Sequence, residues 1–199
     1  MKLAAIAKLI KSESVCRLYR VHGDEDTETS VYIGTNSTVF SLEGFPKPWT
    51  EPELMTMLGM EKKQWDEVCY KEYLENNETN LCGVNMEDVV KDEVRCKTHS
   101  IGLNLYGSLL MGLVDEDSKQ IGFISISKLA PIADEIRKSE YIAYFQRRMP
   151  NGKRYYVVKD GMMVRGAFVP VELSNSTLQT LDTMVKMAQK TALLDGVEG

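Results

Sequence analysis

Two stretches decide the expected fold of this chain: KLAAIAKLI at 2–10 and KLAPIADEI at 128–136. Six positions are identical between them, and their shared apolar residues recur at the i, i+3, i+4 and i+7 spacing of one helix face. Amphipathic helices built from common residues could match by coincidence. An internal duplication is favoured because the similarity continues along the chain.

Downstream of both helices the match continues as a pattern of apolar and aromatic residues. Residues 15–21 align with 141–147, and 31–45 align with 155–169. β-Branched and aromatic residues alternate there with turn signals, among them Asp160-Gly161, which is typical of a tight hairpin. Each copy therefore predicts one helix followed by three strands.

The whole chain is predicted to be one α+β domain with a mainly antiparallel sheet and a duplicated α-β-β-β unit. In order, we expect repeat 1 at 2–45, a helical insert at 46–92, strands within 93–126, repeat 2 at 127–169 and a C-terminal helix at 174–194. Thr50 and Glu53 form a capping-box pattern that predicts a helix near 51–58, and a second helix is predicted at 61–74.

Composition excludes several classes of protein. The 199 residues are 43% hydrophobic and 27% charged, which excludes a mainly disordered chain. The net charge of −5 argues against a protein that coats nucleic acid with its entire surface. Lys8 and Lys11 interrupt the apolar N-terminal run, and no window reaches the ~18 apolar residues of a membrane span. We expect a cytoplasmic protein with no membrane partner.

The four cysteines form no C-x-x-C pair, so we expect them to be reduced and mostly buried, with no metal. The alternative is a zinc site built from Cys82, Cys96 and His99 with Cys69, in which only Cys96 and His99 have ligand-like spacing.

Motifs for catalysis are sparse. Ser125 and Lys128 match an S-x-x-K pattern, but its companion motifs are absent and Ser127 is better explained as a helix N-cap. The acidic run at 22–26 lacks the spacing of a calcium loop, and no glycine-rich phosphate loop occurs. We therefore expect no catalytic residue, no cofactor and no enzyme. The alternative is a small enzyme with a site between the repeats.

Residues 51–74 resemble a helix-turn-helix, which suggests a transcriptional regulator as an alternative function. The second predicted helix mixes four acids with its lysines, which is a poor surface for phosphates, so a plain helical corner is favoured. Phe45 and Trp49 lie just before this corner. They are interpreted as packing anchors, or as a protein docking patch if Trp49 is exposed.

Basic residues lie opposite the apolar stripes of the repeat helices. These candidate nucleic-acid contacts are Lys2, Lys8, Lys11, Lys128, Arg137 and Lys138. Paired helices with outward lysines, each followed by three strands, resemble a domain of a DNA sliding clamp. That resemblance implies β-α-β-β-β units duplicated about a pseudo-twofold axis, with helices lining a hole that holds the duplex. The first copy departs from it by lacking a strand before its helix, and the 46–92 insert has no counterpart.

The whole chain also resembles proteins carried in Firmicute genomes and their prophages. Together these patterns predict a non-enzymatic binding or scaffold protein of bacterial or prophage origin. We expect a homo-oligomer that contacts duplex DNA weakly and without sequence preference, or other proteins.

Overall fold

The two repeated stretches form helices that pack against one face of a single sheet. A computed structural model describes residues 1–22, 29–105 and 107–174, together with positions 176, 177, 179, 180 and 183. The helices are α1 Leu3–Glu13, α2 Glu51–Leu58, α3 Lys62–Trp65, α4 Ile126–Leu129 and α5 Ala133–Lys138, with 3-10 turns at Glu78–Asn80 and Ala130–Ile132. The strands are β1 Val15–Val21, β2 Ser30–Gly34, β3 Thr38–Ser41, β4 Cys69–Glu75, β5 Val94–Leu105, β6 Ser108–Asp115, β7 Ile121–Ser125, β8 Ile142–Arg148, β9 Arg154–Asp160 and β10 Met163–Phe168.

The sheet confirms the α+β class and the duplication. Its strand order is β4-β1-β2-β3-β10-β9-β8-β5-β6-β7, with β3 antiparallel to β10 and only the β1–β4 pair parallel. Read outward from the β3–β10 pair, the two copies present the same strands in the same order. An approximate twofold axis therefore passes between β3 and β10.

The repeat helices are offset by 126 residues, and the Phe40–Gly166 pair has the same offset, so we place the axis at this pair. One row of directly opposed residues then crosses the axis and relates the two copies. The row runs Leu18, Ile33, Phe40, Gly166, Val158, Tyr144. It makes Leu18 equivalent to Tyr144, Ile33 to Val158 and Phe40 to Gly166. An added Cβ at Gly166 would lie 3.0 Å from the Phe40 ring, so a glycine opposite Phe40 leaves room for it.

The expected alignment of 31–45 with 155–169 is wrong in detail. It pairs Ile33 with Val157, yet Ile33 packs on the helix side of the sheet and Val157 on the opposite side. Because side chains alternate between the faces of a strand, an error of one residue exchanges the faces. The alignment of 15–21 with 141–147 agrees with the structure.

The second helical segment is not the single helix that the apolar stripe of 128–136 predicts. It begins at Ile126, so Pro131 falls inside it and divides it into α4, a 3-10 turn and α5. A proline cannot donate the helical hydrogen bond, which explains the break. The apolar stripe survives this break, because Ile6 and its equivalent Ile132 are both fully buried.

The insert at 46–92 contains the largest error of the sequence analysis. The capping box of α2 at Thr50 and Glu53 is present as expected. The predicted helix at 61–74 is instead one turn, α3, followed by β4, which runs parallel to β1 along the edge of the sheet.

Two apolar layers sandwich the sheet. On the helix side, α1, α2 and the second helical segment cover Leu18, Ile33 and Phe40. On the other side, which we call the underside, the loop at 81–86 covers Tyr19, Tyr32 and Val157. The predicted strands within 93–126 correspond to β5, β6 and β7.

Two predicted features lie largely outside the described residues. The described positions 176, 177, 179, 180 and 183 are helical, but most of the predicted helix at 174–194 is not described. The acidic loop is described only at His22.

Candidate functional site: the helix layer and the β4 edge

The helices of the two copies adjoin directly. The backbone N–H of Lys2, at the start of α1, donates to the carbonyl of Pro131 at 2.7 Å. The N-terminal amine also forms an ion pair with Glu135. These contacts place both repeat helices in one layer.

The six basic residues predicted to bind DNA fall into three groups. Lys2 and Arg137 share one partner, since both form ion pairs with Asp134. Hydrogen bonds from these two cations, Lys2 first, lower the pKa of Asp134 to about 2. Asp134 therefore stays ionised at neutral pH and neutralises part of this surface.

Lys128 belongs to the second group, because it is half-buried. Burial lowers the pKa of its ammonium, and the nearby Glu13 carboxylate opposes that shift. Lys8, Lys11 and Lys138 form the third group: they are exposed, and no described residue forms an ion pair with them. Lys8 and Lys11 lie three residues apart on α1 and so project from the same face.

Trp49 does not act as a packing anchor, because its side chain is 69% exposed. The buried tryptophan is Trp65, whose indole N–H donates to Glu51. The guanidinium of Arg20 lies 5.5 Å from the centre of the Trp49 ring and donates to the carbonyl of Pro48. This contact orients Trp49 while leaving most of its ring in solvent, which favours the docking-patch alternative.

A second exposed apolar side chain adjoins Arg20. Leu74 on β4 is 69% exposed and lies directly opposite Arg20 in the β1–β4 pair. Arg20 also forms an ion pair with Glu72 of the same strand. The sequence gives no signal for an exposed strand residue at Leu74, because the pattern at 61–74 predicts a helix.

Phe45, the other residue of the predicted docking patch, lines a cavity of about 320 Å³. Its three carboxylates are engaged: Glu43 forms an ion pair with Arg165, Glu78 accepts from the Tyr32 hydroxyl, and Asp88 accepts from the backbone N–H of Val164. A smaller cavity, lined by residues of β1, β3 and β10 and by the loop at 82–84, measures about 30 Å³, room for about one water molecule.

The other sequence candidates also have defined positions. Ser125, not Ser127, is the N-cap residue of α4, and the two hydroxyls lie 2.8 Å apart. Cys16 and Cys96 are buried, but Cys69 and Cys82 are exposed, contrary to expectation. Within the described residues, no group of three or more His, Cys, Asp and Glu side chains is placed to hold a metal ion.

The corner at 51–65 lacks the element that reads DNA in a helix-turn-helix. Its second helix, α3, has four residues and ends at Trp65, which is buried. One helical turn does not provide a face long enough for the major groove.

Comparisons with protein-family models, with curated proteins and with solved structures found no match to this chain. Among the helices described, none is long and apolar enough to cross a membrane.

Proposed function

We propose that this protein is a non-enzymatic binding protein whose helix layer contacts the phosphate backbone of duplex DNA weakly and without sequence preference. The observation that carries the proposal is the exposure of Lys8, Lys11 and Lys138 on two adjoining helices related by the approximate twofold axis. Lysines without an ion-pair partner, grouped on one layer of helices, can neutralise the phosphates of a duplex.

The arrangement of elements supports the clamp-like interpretation. The second copy has a strand before its helical segment, because β7 ends at Ser125 and α4 begins at Ile126. Its order is therefore the β-α-β-β-β of a sliding-clamp unit, whereas the first copy begins with α1. Both helical segments lie on the same side of a shared sheet.

Charge limits the expected affinity. Asp134 offsets one of the two positive charges of Lys2 and Arg137, and the whole chain carries a net charge of −5. Binding is therefore expected at low salt and is expected to weaken steeply as salt increases.

A salt titration of duplex binding tests the proposal. Each phosphate contact contributes about −0.9 to the slope of log affinity against log salt. The Lys8→Ala/Lys11→Ala/Lys138→Ala variant should flatten that slope by about two to three. The charge-matched control is Lys62→Ala/Lys63→Ala/Lys91→Ala, which removes three exposed lysines elsewhere and should leave the slope nearly unchanged.

Two results would contradict the proposal. One is the absence of duplex binding by the wild-type chain at low salt. The other is an equal change of slope in both triple variants, since that would show a general response to net charge rather than contact through the helix layer.

A further inference from the structure

The outer edge of β4 presents unpaired backbone groups. The Cys69 N–H donates to the Ser14 carbonyl, and the Glu75 carbonyl accepts from His22, so the odd-numbered residues of β4 face β1. In a parallel pair, the intervening residues turn their N–H and C=O groups to the other side. The outward backbone groups of Tyr70, Glu72 and Leu74 have no hydrogen-bond partner among the described residues.

The opposite end of the sheet is different. There the Val171 N–H donates to the Phe123 carbonyl at 2.8 Å, so the segment after β10 occupies part of the outer edge of β7. A head-to-tail ring would require two free, complementary edges. The β4 edge, along which no described segment lies, suits an isologous contact, in which the same strand meets itself across a twofold axis.

We propose that two copies of this chain join through antiparallel pairing of their β4 strands, which makes one continuous sheet across a homodimer. This inference is independent of DNA binding. The β4–β4 pairing uses the unpaired backbone N–H and C=O groups of Glu72 and Leu74 for hydrogen bonds. It also places the exposed Leu74 side chain at the junction of the two sheets. Strand addition at an open sheet edge is a common mode of protein association.

Charge complementarity selects the register. With Tyr73 opposite Tyr73 on the twofold axis, Lys71 of each copy lies opposite Glu75 of the other, on the same face of the sheet. Opposite charges in direct cross-strand positions are stabilising. Lys71 is exposed and forms no ion pair with a described residue, so it is available for this contact.

Other registers lose this charge pairing. Centring the pair on Lys71 places two lysines together, and centring it on Glu72 places two carboxylates together. Centring it on Leu74 places two leucines together but sets Lys71 opposite Asn77, beyond the end of β4, so neither Lys71 meets a carboxylate. Like charges directly opposite each other are destabilising. The Tyr73 register also sets Leu74 opposite Glu72, with the two Leu74 side chains as diagonal neighbours within reach of each other.

Sedimentation equilibrium of the full chain over a range of concentrations tests the dimer and its register. The wild type should reach a mass twice the 22.5 kDa of one chain. Lys71→Glu places Glu opposite Glu twice, and should weaken dimerisation by about tenfold to a hundredfold. Adding Glu75→Lys reverses both charges and should restore most of the affinity, whereas the control Lys63→Glu should leave it unchanged.

A proline and a cysteine provide tests that do not depend on charge. Leu74→Pro removes an outward N–H that β1 does not use, so it should abolish dimerisation while leaving the thermal unfolding temperature nearly unchanged. Tyr73→Cys, in a Cys69→Ser/Cys82→Ser background, should form a disulfide between chains, because non-hydrogen-bonded partners place their Cα atoms about 4.5 Å apart.

A monomeric wild type at the highest soluble concentration would overturn the proposal. So would a dimer whose affinity Lys71→Glu and Leu74→Pro both leave unchanged. A dimer weakened by Lys71→Glu but not restored by the double variant would overturn the Tyr73 register.

Discussion

The two copies of the duplicated unit share a backbone register but differ in what their strands bury on the underside. In the first copy, Val21 lies at the position equivalent to Arg147 in the second, and Gly34 at the position equivalent to Lys159. The underside of the first copy is lined by Tyr19, Val21 and Tyr32. That of the second holds two buried cations.

A carboxylate from outside both repeats compensates these cations. Glu93 forms ion pairs with Arg147 and Lys159, whose side chains are 1% and 6% exposed. Arg147 and Lys159 also donate to the carbonyls of Asn85 and Asp88. The duplication therefore specifies the sheet, but the undersides of the two copies differ. The second copy holds the 85–93 segment through ion pairs and hydrogen bonds of its two buried cations.

The largest effect should come from removing that carboxylate. Glu93→Gln leaves two buried cations without a counter-ion, and breaking a buried pair typically costs about 3–5 kcal/mol, so we expect about 3 kcal/mol here. Urea unfolding at neutral pH measures it. The control is Glu172→Gln, which makes the same change in an exposed ion pair with Lys153 and should cost less than about 0.5 kcal/mol. Equal costs would contradict a distinct ionic underside.

A smaller effect is expected at the twofold axis, where the copies place Phe40 opposite its equivalent Gly166. A Cβ at 166 would lie 3.0 Å from the Phe40 ring and 3.1 Å from the Phe168 ring. Because both rings are buried, Gly166→Val should cost about 2 kcal/mol by overpacking.

Adding Phe40→Leu to Gly166→Val should recover part of that loss, which a double-mutant cycle on unfolding free energies would measure. The control is Gly102→Val, because an added Cβ there meets nothing closer than 3.7 Å. A cost at Gly166 no larger than at Gly102 would show that the two copies do not crowd each other at the axis.

The duplication is predictable from the sequence because apolar residues recur at regular spacing along the buried helix face and in the strands after it. Leu18, Ile33 and Phe40 face the helices and alternate with residues on the underside. β4 has no such regular spacing of apolar residues. As an edge strand it is largely exposed, so Lys71, Glu72 and Leu74 show no alternation of buried and exposed positions, and the charges suggested a solvated helix.

The ion pairs between separate segments are less predictable still, because they join residues distant in sequence. Glu93, Arg147 and Lys159 lie in three separate segments, and the two cations resemble solvent-facing residues of half-buried strands. Asp134 lies on the second repeat helix, distant in sequence from Lys2. That it pairs with Lys2 as well as Arg137 depends on how the two helices adjoin.

The smallest effect concerns the helix break itself, which is present only in the second copy. Ala5 is the position in α1 equivalent to Pro131, and its N–H donates to the Lys2 carbonyl at 3.1 Å. It lies in the first turn, where a proline ring meets no preceding helical turn, so Ala5→Pro should cost only about one hydrogen bond, or about 1 kcal/mol. Ala7→Pro, one half-turn later and buried, should cost about 3 kcal/mol or more because it interrupts the helix interior. Thermal unfolding of both variants measures the difference. Equal costs would mean that α1 does not tolerate a proline at the position where the second copy has Pro131. The second copy would then compensate for Pro131 through its own contacts. One of these is the hydrogen bond that the Pro131 carbonyl accepts from the Lys2 N–H.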